Sequence, residues 1–202
     1  MNFLYSIFIA FILIFVSELG DKTQFLVLSF SSKLKASTIL PGVALGTFLS
    51  HGIAILFGSS IGLLENELVH NILQLITYIS FIFFGILSFL PEKQNSENNK
   101  KNNFLMKLSK IGLGYILIIA FSIAIGELGD KTFLASIGLG ISYPNSKLFL
   151  IIGSILGMVI SNLFAILFGK FLSSKVPESL MHKISGLLFI IFGFIGFLKF
   201  IF

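Results

Sequence analysis

The chain has no cysteine, no arginine and little charge of either sign, and each shortage excludes something. Without cysteine there can be neither a disulfide framework nor a thiolate metal site. Charged residues make up 11% of the 202 residues, against about 25% in a soluble domain. Hydrophobic residues make up 55%, and the mean hydropathy is +1.01. Such a chain needs a non-aqueous solvent, which a lipid bilayer supplies. The formal charge of +5 comes from fourteen lysines. Most lie between apolar runs, where they set topology rather than bind nucleic acid. A nucleotide site is also missing. The stretch from Gly126 to Thr132 resembles a phosphate-binding loop only superficially, because the G-x-x-x-x-G-K-[ST] spacing is absent.

Six apolar stretches are present, each near or above the roughly 20 residues that cross a bilayer. They cover 3–30, 39–64, 68–90, 111–141, 148–172 and 184–202. The first and fourth are long enough to be tilted, broken or followed by a short interfacial piece. Residues 91–110 read as a polar, flexible loop. The N-terminal stretch has neither the basic start nor the small-residue cleavage site of a secretory leader, and is read as a retained first helix. The first, third and fifth loops carry Lys33, Lys35, Lys93, Lys100, Lys101, Lys107, Lys110, Lys170, Lys175 and Lys183. The other side carries Lys147 and Lys199, with Glu65 and Glu67. Ten lysines against two place the odd loops in the cytoplasm and both termini outside the cell membrane.

The chain also repeats itself. Ser17-Glu18-Leu19-Gly20-Asp21-Lys22-Thr23 matches Gly126-Glu127-Leu128-Gly129-Asp130-Lys131-Thr132 at an offset of 109. Gly46, Ser50, His51 and Ala54–Gly58 match Gly157, Ser161, Asn162 and Ala165–Gly169 at 111. Phe81–Gly85 matches Phe189–Gly193 at 108. Three ordered matches at nearly one offset are a duplication. Each copy holds three spans, an odd number, so the second enters the membrane in the opposite sense to the first. The expected fold is therefore an all-α membrane protein of six transmembrane helices, arranged as two inverted three-helix repeats over 1–90 and 111–202. Their pseudo-symmetry brings equivalent residues together at mid-membrane.

Glu18, Asp21 and Lys22 fall near the centre of the first span, and Glu127, Asp130 and Lys131 near the centre of the fourth. Ionisable groups at that depth are costly unless paired, which makes them functional candidates. Each Glu–Asp pair is at i, i+3 and so is expected to share one helical face, with the lysine four residues from the glutamate and able to pair with it. Gly20 and Gly129 permit either close helix approach or a local break. Four carboxylates and two lysines sum to −2, which one divalent cation neutralises. Carboxylates suit Mg, Ca or Mn. Thr23, Thr132, Ser50, Ser161 and Asn162 could complete the shell. The bland alternative makes the acid–lysine pairs structural bolts, but two equivalent copies favour a site. His51 reads either as a proton-handling group or as an interhelical hydrogen-bond partner. Glu65, Glu67 and Glu178 read as solvated charges, the 25 phenylalanines as lipid-facing and packing bulk, and Gly46 with Gly157 as close helix contacts.

A duplicated E-x-G-D-[KR]-[ST] motif on the first helix of each half resembles the hallmark of the GDT family, the Golgi-type calcium/manganese–proton exchangers. Both copies are complete, Glu18 to Thr23 and Glu127 to Thr132, and the resemblance covers essentially the whole chain. It implies export of Mn²⁺ or Ca²⁺ from the cytosol in exchange for protons, with Glu18, Asp21, Glu127 and Asp130 as ligands. The ion is cargo, and no cofactor or enzymatic activity is implied. The partners are the ion, protons and the bilayer, with oligomeric state left open. Two rivals are a small-solute exporter, binding an amino acid between the lysines and acids, and a non-transporting membrane scaffold.

Overall fold

The computed structural model describes residues 3–19, 21–31, 34–64, 66–89, 114–175 and 178–201. The loop expected at 91–110 lies outside the described residues, as do Gly20, Lys33 and Glu65. Among the described residues every element is helical, as a chain in lipid requires if it is to satisfy its backbone internally without closing a barrel.

Helix α1 is Phe3–Ser17 and α2 is Lys22–Ser31. Next come α3, Ala36–Thr47, a π-helical turn at Phe48–Gly52 and α4, Ile53–Gly62, which form one unbroken run of 27 residues. Helix α5, Glu67–Leu87, starts where the Asn66 side chain accepts a hydrogen bond from the Val69 N–H at 3.1 Å. The second half contains α6, Tyr115–Glu127, and α7, Lys131–Ser142. A 3-10 turn at Pro144–Ser146 leads into α8, Lys147–Lys175, and α9, Glu178–Ile201, follows.

Among the described residues three helices are long and apolar enough to cross a membrane: Ala36–Gly62, Leu68–Leu87 and Pro144–Leu167. Phe3–Ser17, Tyr115–Glu127 and Lys183–Leu198 are apolar but shorter. The first and fourth expected spans are thus each two helices with a break between them. At 1.5 Å per residue, the 15 residues of α1 extend about 22 Å, short of a hydrocarbon core of about 30 Å.

The helices pack in a pattern that follows the sequence repeat. Helix α1 lies along α8, and α6 lies along α3, so the first helix of each half rests on the third helix of the other. Helix α5 packs on α9. Glycines make these approaches close, and they come in matched sets. A Cβ on Gly46 would lie 2.6 Å from the Ala120 carbonyl oxygen, and one on Gly157 would lie 2.8 Å from that of Phe11. One on Gly85 would meet the Gly186 oxygen at 2.7 Å, and one on Gly193 the Tyr78 oxygen at 2.8 Å. Each pair is related by the repeat's own offsets. Backbones meet this closely only where side chains are absent, the usual device for helix association in lipid.

Polarity is inverted relative to a soluble domain. Large apolar side chains such as Phe8, Phe57, Leu68, Phe83 and Leu167 are exposed, whereas Glu18, His51, Glu127, Thr132, Ser161 and Asn162 are fully enclosed. Two apolar clusters support them, one around Leu13, Ile55, Leu150 and Phe189, the other around Ile14, Ile39, Ile123 and Met158.

Candidate cation site

The repeated motif is where the helices break. In the second copy Leu128 has φ −61° and ψ 119° and Gly129 has φ +81°. The Asp130 N–H donates to the Glu127 carbonyl at 3.2 Å. These are the angles and the closing bond of a type II turn, which calls for glycine at its third position. Nothing lies within 4 Å of where a Cβ on Gly129 would be, so the residue serves the backbone conformation and not close packing. Helix α7 then starts with Asp130 as its cap, the carboxylate accepting from the Lys131 N–H at 2.7 Å. The first copy closes the same way, with the Asp21 N–H on the Glu18 carbonyl at 3.2 Å.

This corrects the expectation that each glutamate and aspartate share a helical face. The turn puts the glutamate at the end of one helix and the aspartate and lysine at the start of the next.

The two glutamates converge with a residue from a third element. Glu18, Glu127 and His51 each offer one donor atom, and these lie within 4.8 Å of one another. All three side chains are inaccessible to solvent. Thr23 Oγ1 donates to Glu18 Oε2 at 3.1 Å, and Thr132 Oγ1 donates to Glu127 Oε2 at 3.2 Å. In both glutamates the other oxygen, Oε1, is buried without a hydrogen bond. Two carboxylates this close repel by at least about 3 kcal/mol at an effective dielectric of about 20. Asp21, Asp130 and Glu127 add like charge around Glu18, and Lys131 opposes it. A cation or protons must relieve that repulsion, because buried carboxylate oxygens are otherwise too costly to leave unpaired.

Asp21 is buried and Asp130 half-buried, and neither shares the three-residue cluster. Lys131 is half-buried, and the Lys22 side chain lies outside the described residues. The Ser50 hydroxyl donates to its own helix, to the Gly46 carbonyl at 3.1 Å. Ser161 Oγ accepts from Gln24 Nε2 at 2.6 Å. Asn162 Nδ2 donates to the Met158 carbonyl at 2.9 Å, and its Oδ1 is buried without a partner. Gln24 was not singled out from the sequence; its repeat equivalent is Phe133, so the duplication gave no signal. His51 Nδ1 pairs with Ser136 Oγ at 2.8 Å across helices, as one of its two expected readings required.

Each half therefore supplies one threonine-braced glutamate, delivered by a helix break, to one enclosed cluster. The GDT1 family, described as divalent cation/proton antiporters, matches residues 6–96 and 115–200. The chain belongs to the GDT1 family. That makes it a membrane transporter and not an enzyme. It is 30% identical over 177 residues to the "Putative manganese exporter" of Vibrio cholerae, covering 87% of this chain and 82% of the relative. It is 30% identical over 212 residues to GDT1-like protein 5 of Arabidopsis thaliana, covering 89% of each. It is also 26% identical over 202 residues to protein PAM71 of the Arabidopsis chloroplast, where it spans 91% of its own length but 54% of that protein's. No solved structure matches the chain.

Proposed function

We propose that this GDT1 protein exports Mn²⁺ from the cytosol in exchange for protons, binding the ion between Glu18 and Glu127. Ca²⁺ is the alternative cargo. The observation that carries this reading is the pair of buried, unpaired Oε1 atoms, one from each half, within a cluster 4.8 Å across. When the ion leaves, the same oxygens take protons, and a returning ion expels them. Asp21 and Asp130, on the turns beside the glutamates, serve the ion as it enters and leaves. The name of the Vibrio cholerae relative supports manganese.

The same reading includes six spans in two inverted halves, 1–90 and 111–202, with the odd-numbered loops in the cytoplasm and both termini outside the cell membrane. The matched glycine contacts and the matched Thr–Glu bonds support it, because both recur at the repeat offsets. Alternating access then consists of one half rocking against the other around a central site.

The test is ion flux in proteoliposomes. Glu18→Gln and Glu127→Gln should each abolish Mn²⁺ uptake coupled to a pH gradient, while the variants remain folded in detergent. A dead variant in one half beside a silent one in the other would break the shared-site reading.

A further inference from the structure

We propose that His51 is a direct ligand of the transported ion through Nε2, and that this nitrogen selects first-row transition-metal ions over Ca²⁺ and Mg²⁺. The inference rests on Glu18 and Glu127 forming the cation site.

Three observations carry it. First, the ring is held at one end only. Nδ1 lies 2.8 Å from Ser136 Oγ, whereas Nε2 is fully enclosed without a hydrogen bond. A hydroxyl can accept from Nδ1–H, which leaves the lone pair on Nε2. This is the arrangement in which a neutral imidazole binds a metal, its second nitrogen fixed by an outer partner. Second, Nε2 faces Glu127 Oε2 at 3.5 Å. That is longer than an N–H···O bond of about 2.7–3.2 Å, so a hydrogen bond to Glu127 does not account for the placement. Donors on opposite sides of one ion, at about 2.0–2.6 Å each, stand about 4–5 Å apart. Ligand atoms of Glu18, Glu127 and His51 all lie within 4.8 Å of one another, inside that limit. Third, His51 sits in the π-helical turn Phe48–Gly52. Such bulges are often found at functional sites. The equivalent position, Asn162, lies in regular α-helix, so only one half presents an imidazole.

The charge and chemistry agree. Two carboxylates and a neutral imidazole sum to −2, which a divalent ion cancels. Imidazole suits transition metals, while Ca²⁺ and Mg²⁺ take oxygen ligands. A site made of carboxylates alone would not separate the two groups; one nitrogen does.

The experiment loads the full chain, purified in detergent, with Mn²⁺ and records electron spin-echo envelope modulation. The wild type should show one directly coordinated nitrogen. His70→Gln should keep that signal, because His70 lies on α5 and pairs with Gln74. His51→Gln should lose it. The Mn²⁺ affinity of His51→Gln should fall at least ~10-fold, the lower end of what removing even an outer partner of a metal ligand costs. Its Ca²⁺ affinity should change far less, so the Mn²⁺/Ca²⁺ preference collapses. Bound Mn²⁺ without nitrogen coupling in the wild type would overturn the ligand role and leave the glutamate site standing. Binding of neither Mn²⁺ nor Ca²⁺ would overturn both. If His51→Gln fails to fold, the wild-type spectrum decides alone.

Discussion

If the ion is bound as proposed, two glutamates with one unpaired buried oxygen each predict a two-proton exchange. A departing divalent ion would then make room for two protons, and the exchange would move no net charge. Carrying one charge across 100 mV costs about 2.3 kcal/mol. Expelling the ion against an inside-negative potential therefore costs about 4.6 kcal/mol, and two entering protons return the same amount. Voltage drops out. Each proton also yields about 1.4 kcal/mol per unit of pH difference, so two sustain a metal gradient of about 100-fold per unit. A one-proton exchange would behave differently. It would move one net charge per cycle, and 100 mV would shift the metal ratio by about 50-fold, since 2.3 kcal/mol is about 1.7 decades. The assay is Mn²⁺ accumulation at equilibrium in proteoliposomes, with the potential set by a potassium gradient and an ionophore. A pH step of one unit should change accumulation about 100-fold, and a 100 mV step should change it less than twofold. A shift near 50-fold with voltage would refute the two-glutamate count. Accumulation that tracked voltage and ignored pH would refute proton exchange altogether.

Two further predictions concern the turn at Gly129 and the orientation in the membrane. Gly129→Ala forces a Cβ onto a residue at φ +81° and should cost about 1–2 kcal/mol, lowering the unfolding temperature in detergent, with Gly129→Asn milder. An alanine variant as stable as the parent would mean that the turn is not fixed. In this cysteine-free chain, a cysteine placed at Asn66 should react with an impermeant thiol reagent outside intact cells, and one at Ser96 should not. The opposite labelling would invert the proposed orientation.

The duplication was legible because its marks are chemical. An acidic motif and small residues recur at offsets of 108 to 111, and in space those glycines make equivalent contacts. The breaks were harder to read. Apolar residues run on both sides of each motif, so hydrophobicity alone describes one long span. Only the positive φ at Gly129 shows which of its two expected uses the glycine has. That turn also carries Asp130 to the head of α7, off the helix that ends at Glu127. The π-helical turn left no trace in the sequence, since Phe48–Gly52 contains nothing that separates it from the α-helix around it. His51 stood out only as an intramembrane histidine. Its orientation depends on Ser136, 85 residues away, and no local pattern encodes that distance.

Because α1 and α6 stop at the glutamates, the backbone contributes charge that does not titrate. The carboxyl end of a helix is equivalent to about half a negative charge. Two such ends beside Glu18 and Glu127 therefore offer an arriving cation about one unit of attraction that no proton can remove. The amino ends of α2 and α7, facing back across the turns, carry the opposite sign. At α7 the Asp130 carboxylate sits on that end, 2.7 Å from the Lys131 N–H, and cancels much of its field. The division of labour within the motif follows from this. On the proposed mechanism its aspartate, besides serving the ion, quiets the helix end that would repel it, its glycine makes the turn, and its glutamate is the group that would change charge during the cycle.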